Sequence, residues 1–101
     1  MATITVDLQE GFRGEHVRIA VDGQEQFASR NVRTSPLVGL AATFSATPRG
    51  PRCRLSVDLV DRGVTHDFAI DVASDTTFVG LQLDDTGVLR HAVRASPFGY
   101  G

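Results

Sequence analysis

The sequence predicts an all-β protein: a single antiparallel β-sandwich of seven to nine short strands, immunoglobulin-like or transthyretin-like in layout. Three observations lead there. Apolar and polar residues alternate with a period of two along most of the chain, as in strands with one buried and one wet face. Turn-forming residues punctuate those runs, about every ten residues in the second half, which is the interval of a sandwich or barrel. No window sustains a 3.6-residue period, so each sheet must bury its apolar face against another sheet.

In TITVDLQ, Ile4, Val6 and Leu8 point one way, and Thr5, Asp7 and Gln9 point to the wet side. In EHVRIAVD, Val17, Ile19 and Val21 share a face opposite His16, Arg18 and Asp22. The turn at Asp22-Gly23 then raises a question of register. A two-residue loop pairs Arg18 with Phe27 and leaves Phe27 wet. A three-residue loop, either Val21-Asp22-Gly23 or Asp22-Gly23-Gln24, brings Phe27 opposite Val17 or Ile19 on the core face. Burying a phenylalanine stabilises by roughly 1.5–3 kcal/mol, so the three-residue loop is expected.

The segment LVGLAATF (37–44) follows Pro36 and contains Gly39. It is read as a strand with a glycine bulge or a close packing contact. After the TPRGP turn at 47–51, CRLSVDLV alternates Cys53, Leu55, Val57 and Leu59 with Arg54, Ser56 and Asp58. Asp61-Arg62-Gly63 turns the chain. VTHDFAIDV then sets Val64, Phe68, Ile70 and Val72 against Thr65, Asp67 and Asp71. Further turns fall at Ala73-Ser74-Asp75 and at Asp84-Asp85-Thr86-Gly87. The last strand carries Leu89, His91 and Val93 on one face.

Composition bounds the function. A chain of 101 residues, 42% apolar and 22% charged, makes one domain, 1–101. A net charge of −2 does not suit a general nucleic-acid binder, which needs a basic face. The chain alternates from Ala2 onward, so its start reads as a strand and not a signal peptide. No stretch approaches the length of a membrane span, and the expected location is the cytoplasm.

No chemistry-bearing motif stands out. Cys53 lies on an apolar face, where a thiol is inert, and a single cysteine cannot form an intrachain disulfide. His16, His66 and His91 belong to three different strands without metal-site spacing. His91 is expected to be partly buried and hydrogen-bonded. If the second half is a meander, Asp61 and the Asp84-Asp85 pair share one end of the sandwich, where loop carboxylates can hold calcium, although aspartate is also an ordinary turn residue. The opposite end carries Arg49, Arg52 and Arg54, three cations with no acid among them in sequence. They suit an acidic protein patch, a carboxylate or a phosphate, or they protect a sheet edge. No catalytic, cofactor or metal residue is assigned. The candidate interaction residues are Arg49, Arg52, Arg54, Phe98 and Tyr100.

The tail, SPFGYG, invites comparison with known proteins. Ser96-Pro97-Phe98-Gly99-Tyr100, preceded by His91, resembles the end of the transthyretin-like family, short β-sandwiches whose closing strand leads into S-P-[FY]-G-Y. The resemblance covers about a tenth of the chain. It implies a hydrolase acting on 5-hydroxyisourate, a small purine-derived metabolite, with His91, Arg90, Arg94 and Tyr100 as the residues involved. The family's continuation into Y-R-G-S and its N-terminal H-x-L-D are not matched here. By length and layout the chain also resembles small bacterial β-domains ending in P-F-G-Y, which implies no activity. The expected role is a non-catalytic binding or assembly module that engages a protein partner or itself through loops or a sheet edge, with no cofactor and no membrane or nucleic-acid partner. Phe98 is expected to pack back over an open end of the sandwich as a plug. Tyr100 is expected nearby with its hydroxyl toward solvent or a partner. An exposed interaction patch is the alternative.

Overall fold

Alternating side chains set the faces, and eight strands form from them. In the structure, a computed structural model that describes residues 2–72 and 75–100, the strands are β1 (Thr3–Leu8), β2 (Arg13–Val21), β3 (Gln24–Arg33), β4 (Ala42–Ala46), β5 (Arg52–Leu59), β6 (Val64–Asp71), β7 (Thr76–Leu83) and β8 (Leu89–Arg94). A 3-10 turn, Val60–Arg62, joins β5 to β6. Of the predicted turn at Ala73-Ser74-Asp75, only Asp75 lies within the described residues. Among those residues, no helix is long and apolar enough to cross a membrane.

The strands form two four-stranded sheets. Sheet A has the order β4-β1-β7-β8 and sheet B the order β3-β2-β5-β6. The predicted inner-face residues Ile4, Val6 and Leu8, Val17 and Ile19, and Leu55, Val57 and Leu59 meet between them with Val79 and Leu81 of β7, a strand not read from the sequence, and all are buried almost completely. Two aromatic pairs close the open sides. Phe27 of β3 stacks on Phe44 of β4 with ring centroids 5.4 Å apart, and Phe68 of β6 stacks on His91 of β8 at 4.0 Å.

The pairing departs from the expected antiparallel plan at one place. β1 and β7 run parallel, from Thr3↔Thr76 to Leu8↔Leu81. A parallel pair needs a long crossover, and here the chain between them builds all of sheet B and β4. The second half is likewise not a meander. β5–β6 and β7–β8 are antiparallel hairpin pairs in different sheets, so the chain changes sheet between them.

The β2–β3 hairpin corrects the predicted loop while keeping its purpose. Val21 pairs with Gln24, so the loop is the two-residue Asp22-Gly23. Both residues have positive φ, 52° and 83°, the backbone of the turn whose twist matches a hairpin. Phe27 nevertheless stands opposite Ile19, because the register shifts between Ile19↔Phe27 and Ala20↔Glu25. Gln26 is the extra residue of a β-bulge, and a one-residue slip moves every later side chain to the other face. The gain from burying Phe27 is therefore obtained inside the strand and not in the turn.

The 37–44 segment is mostly not a strand. Ser35 accepts a hydrogen bond from Gly39 N at 2.8 Å and donates its own N–H to Leu40 O at 3.1 Å. The chain thus turns over residues 35–40, and β4 begins only at Ala42. Leu37 stands out into solvent, 87% exposed.

Candidate functional site

The C-terminal segment lies across the outer face of sheet A. Side chains that alternate with the core residues make up this face: Asp7 between Val6 and Leu8, Gly80 and Gln82 on β7, and Ala92 and Arg94 on β8. The Tyr100 hydroxyl donates to Asp7 Oδ2 at 2.6 Å and accepts from Gln9 Nε2 at 2.8 Å. Thr43 Oγ1 donates to Asp7 Oδ1 at 2.6 Å, and Gln82 Nε2 donates to Gln9 Oε1 at 3.1 Å. Asp7 and Gln9, expected on the wet side, are only 8% and 6% exposed. Hydrogen bonding makes their burial tolerable.

Gly80 makes room for this network. A Cβ there would fall within 2.9 Å of the carboxamide group of Gln9. Phe98 is half-buried beside the groove that Ala92, Arg94 and Gln82 line, with the Arg94 guanidinium 5.1 Å from its ring centroid. The tail therefore straps the outer face and does not plug an end. The Tyr100 hydroxyl points into the protein and not toward solvent. Burial, reinforced by Asp7, pushes the phenol up to about 12.

The arginine cluster lies elsewhere, at the start of β5 and along the outer face of sheet B. Acids absent from its stretch of sequence reach it across the strands. Arg52 lies 3.7 Å from Asp71 and Arg54 3.9 Å from Asp67, both on β6. The backbone N–H groups of Arg49 and Arg54 donate to Asp22 at 3.4 and 3.0 Å. The structure does not bring Arg49, Arg52 and Arg54 together with Phe98 and Tyr100.

Asp61 and the Asp84-Asp85 pair do share an end. A Cβ on Gly87 would lie 2.4 Å from Arg62, so the two loops touch. The Asp61 and Asp84 carboxylates already have partners. Asp61 accepts from His16 N at 3.0 Å. Asp84 accepts from Thr86 Oγ1 at 2.6 Å, Thr86 N at 2.9 Å, Val88 N at 3.0 Å and Arg90 Nε at 3.2 Å. Thr86 and Val88 together hold the Asp84 carboxyl down at about 2. Among the described residues, no group of three or more His, Cys, Asp or Glu side chains is placed to hold a metal ion. Cys53 is buried, and burial raises its thiol pKa. His91 pairs with Leu81 on the inner face and stacks on Phe68, but it is exposed and not partly buried as expected. It thus lies on the opposite face of sheet A from Arg90, Arg94 and Tyr100, and the four residues implied by the transthyretin-like resemblance do not converge. His66 Nε2 is buried without a hydrogen-bond partner.

The remaining candidate surface is the side of the sandwich where β6 and β8 end their sheets. Val64 of β6 is 41% exposed and Val93 of β8 is 43% exposed. Val60, in the 3-10 turn before β6, and Val88, just ahead of β8, are exposed as well. Both strands pair with their inner neighbours in regular register. On the opposite side, β3 is bulged and β4 has only five residues, and both features protect an edge from strand addition. A scan against protein-family models finds no match to this chain, and a search of curated proteins finds none either.

Sequence reasoning named the tail but missed Asp7, Gln9, Gly80 and Gln82 beneath it. Asp7 carried a weak signal, as the one charged residue of β1. It also missed the β6–β8 side, because nothing in either strand says that the other lies beside it.

Proposed function

We propose that this protein is a non-catalytic binding or assembly module that engages a protein partner or itself along the paired edges β6 and β8. The observation that carries the reading is the run of exposed valines, Val60, Val64, Val88 and Val93, on or beside two unbulged edge strands. An edge strand presents unpaired N–H and C=O groups to an incoming strand, and exposed apolar side chains along it add burial on contact. The net charge of −2 supports a protein partner over nucleic acid.

On the finer fold, the division into four and four strands favours the transthyretin-like layout. Immunoglobulin-type sandwiches divide seven or nine strands unequally. That layout keeps the hydrolase reading as the competitor. The separation of His91 from Tyr100 across sheet A, and the engagement of the Tyr100 hydroxyl by Asp7 and Gln9, weigh against it.

The test compares the wild type with Val64→Lys/Val93→Lys, since lysine blunts an exposed edge. Association, whether with a copurifying protein or with a second copy, should be lost in the variant while its melting temperature is kept. Unchanged association in the variant refutes the edge reading. Accelerated hydroxyisourate decay by the wild type, abolished by His91→Ala, replaces it with the hydrolase.

A further inference from the structure

The two edges carry opposite charges at equal spacing. On the outer face of β6 stand Asp67 and Asp71, and on the outer face of β8 stand Arg90 and Arg94. Each pair is four residues apart, roughly 13 Å along a strand. The stacked rings of Phe68 and His91 fix the relative height of the two strands. Asp67 precedes Phe68 by one residue as Arg90 precedes His91, and Asp71 follows Phe68 by three as Arg94 follows His91. The strands also run the same way, since both start at the end where Arg62 meets Gly87.

Resting on the edge reading above, we propose that the occupant of this side is a second copy of the chain, with β6 of each copy pairing with β8 of the other. A two-fold axis running along the strands exchanges the sheets while keeping every residue at its own height. It sets β8 of one copy parallel to β6 of the other, with Arg90 opposite Asp67 and Arg94 opposite Asp71 in both junctions. Opposite charges directly across a strand pair stabilise it, and like charges oppose it. The alternative two-fold axis, normal to the sheets, pairs β8 with β8 and β6 with β6. That arrangement runs arginine toward arginine and aspartate toward aspartate.

Asp71 and Arg90 have the most capacity left for a partner, while Asp67 also accepts from Ser56 Oγ and lies 3.9 Å from Arg54, and Arg94 lies over the Phe98 ring. The Asp71 side chain is 89% exposed, with Arg52 3.7 Å away. Arg90 gives Nε to Asp84, and its side chain is 70% exposed. Val93, exposed in the single chain, comes level with Ile70 of the second copy and loses its contact with water.

Light scattering on size-exclusion fractions, over a concentration series, tests the arrangement. The wild type should give a species of twice the monomer mass that weakens with salt. Asp67→Arg/Asp71→Arg and Arg90→Asp/Arg94→Asp should each weaken self-association by about tenfold or more, and an equimolar mixture of the two should restore it. Ala69 and Ala92 lie at matching heights between the charges. Ala69→Cys mixed with Ala92→Cys should therefore crosslink on oxidation, while Ala92→Cys alone should not. A monomeric wild type overturns the proposal and leaves the edge reading to its own test with a foreign partner. A dimer indifferent to both charge reversals, or one that crosslinks through Ala92→Cys alone, overturns the mixed pairing and keeps the edge as the interface.

Discussion

Tyr100→Phe removes one oxygen atom and isolates the contribution of the strap. The lost hydroxyl makes two hydrogen bonds: a donation to the Asp7 carboxylate at 2.6 Å and an acceptance from Gln9 at 2.8 Å. A hydrogen bond to a charged group contributes about 1.5–3 kcal/mol and a neutral one about 0.5–1.5 kcal/mol. Asp7 keeps the bond from Thr43, and Tyr100 is 38% exposed, so water replaces part of the loss. The expected cost is about 2 kcal/mol. For a domain of this size that lowers the melting temperature by roughly 10 °C, readable by calorimetry.

The same residue offers a second readout. It is the single tyrosine in a protein without tryptophan, so phenolate absorbance reports on it alone. Its pKa is raised from 10 to about 12 by burial and then by Asp7. The folded state therefore favours the protonated phenol. The contribution is complete below pH 10 and is lost as pH rises toward 12. A native titration midpoint near 10, together with a Tyr100→Phe melt that matches the wild type, would refute the docked strap.

Two further outcomes follow from the geometry. Asp84 is held at about 2, below its ordinary 3.8, so its contribution is present above pH 3.8 and is lost as pH falls toward 2; in acid melts, Asp84→Asn should flatten this part of the stability profile. A double-mutant cycle of Phe27→Leu and Phe44→Leu, read by urea unfolding, should return a coupling of about 0.5–1.5 kcal/mol for the stacked pair, and a coupling near zero would show that the rings pack independently.

The faces of the strands were legible because alternation is a local property. Ile4, Val6 and Leu8, or Leu55, Val57 and Leu59, declare a shared face without reference to any other segment, and they are buried together. The destination of Phe27 was legible for the same reason, since its side chain had to reach the core. The route was not. A longer loop and a bulge both deliver Phe27 opposite Ile19, and their difference lies in how strands β2 and β3 twist together. The 37–44 segment misled because an apolar run with a glycine fits a strand as well as a turn closed by Ser35.

By itself the sequence determined an all-β chain and the core faces of β1, β2 and β5. Tertiary structure decided the rest: the parallel β1–β7 pair, the burial of Asp7 and Gln9 beneath Tyr100, and the meeting of β6 with β8 at matched height. The physical reason is distance along the chain. A period-two pattern states which way a side chain points, whereas Tyr100 and Asp7 are joined across 93 residues. Only the stacking of sheets, the crossover between them and the return of the tail bring such partners within hydrogen-bonding reach.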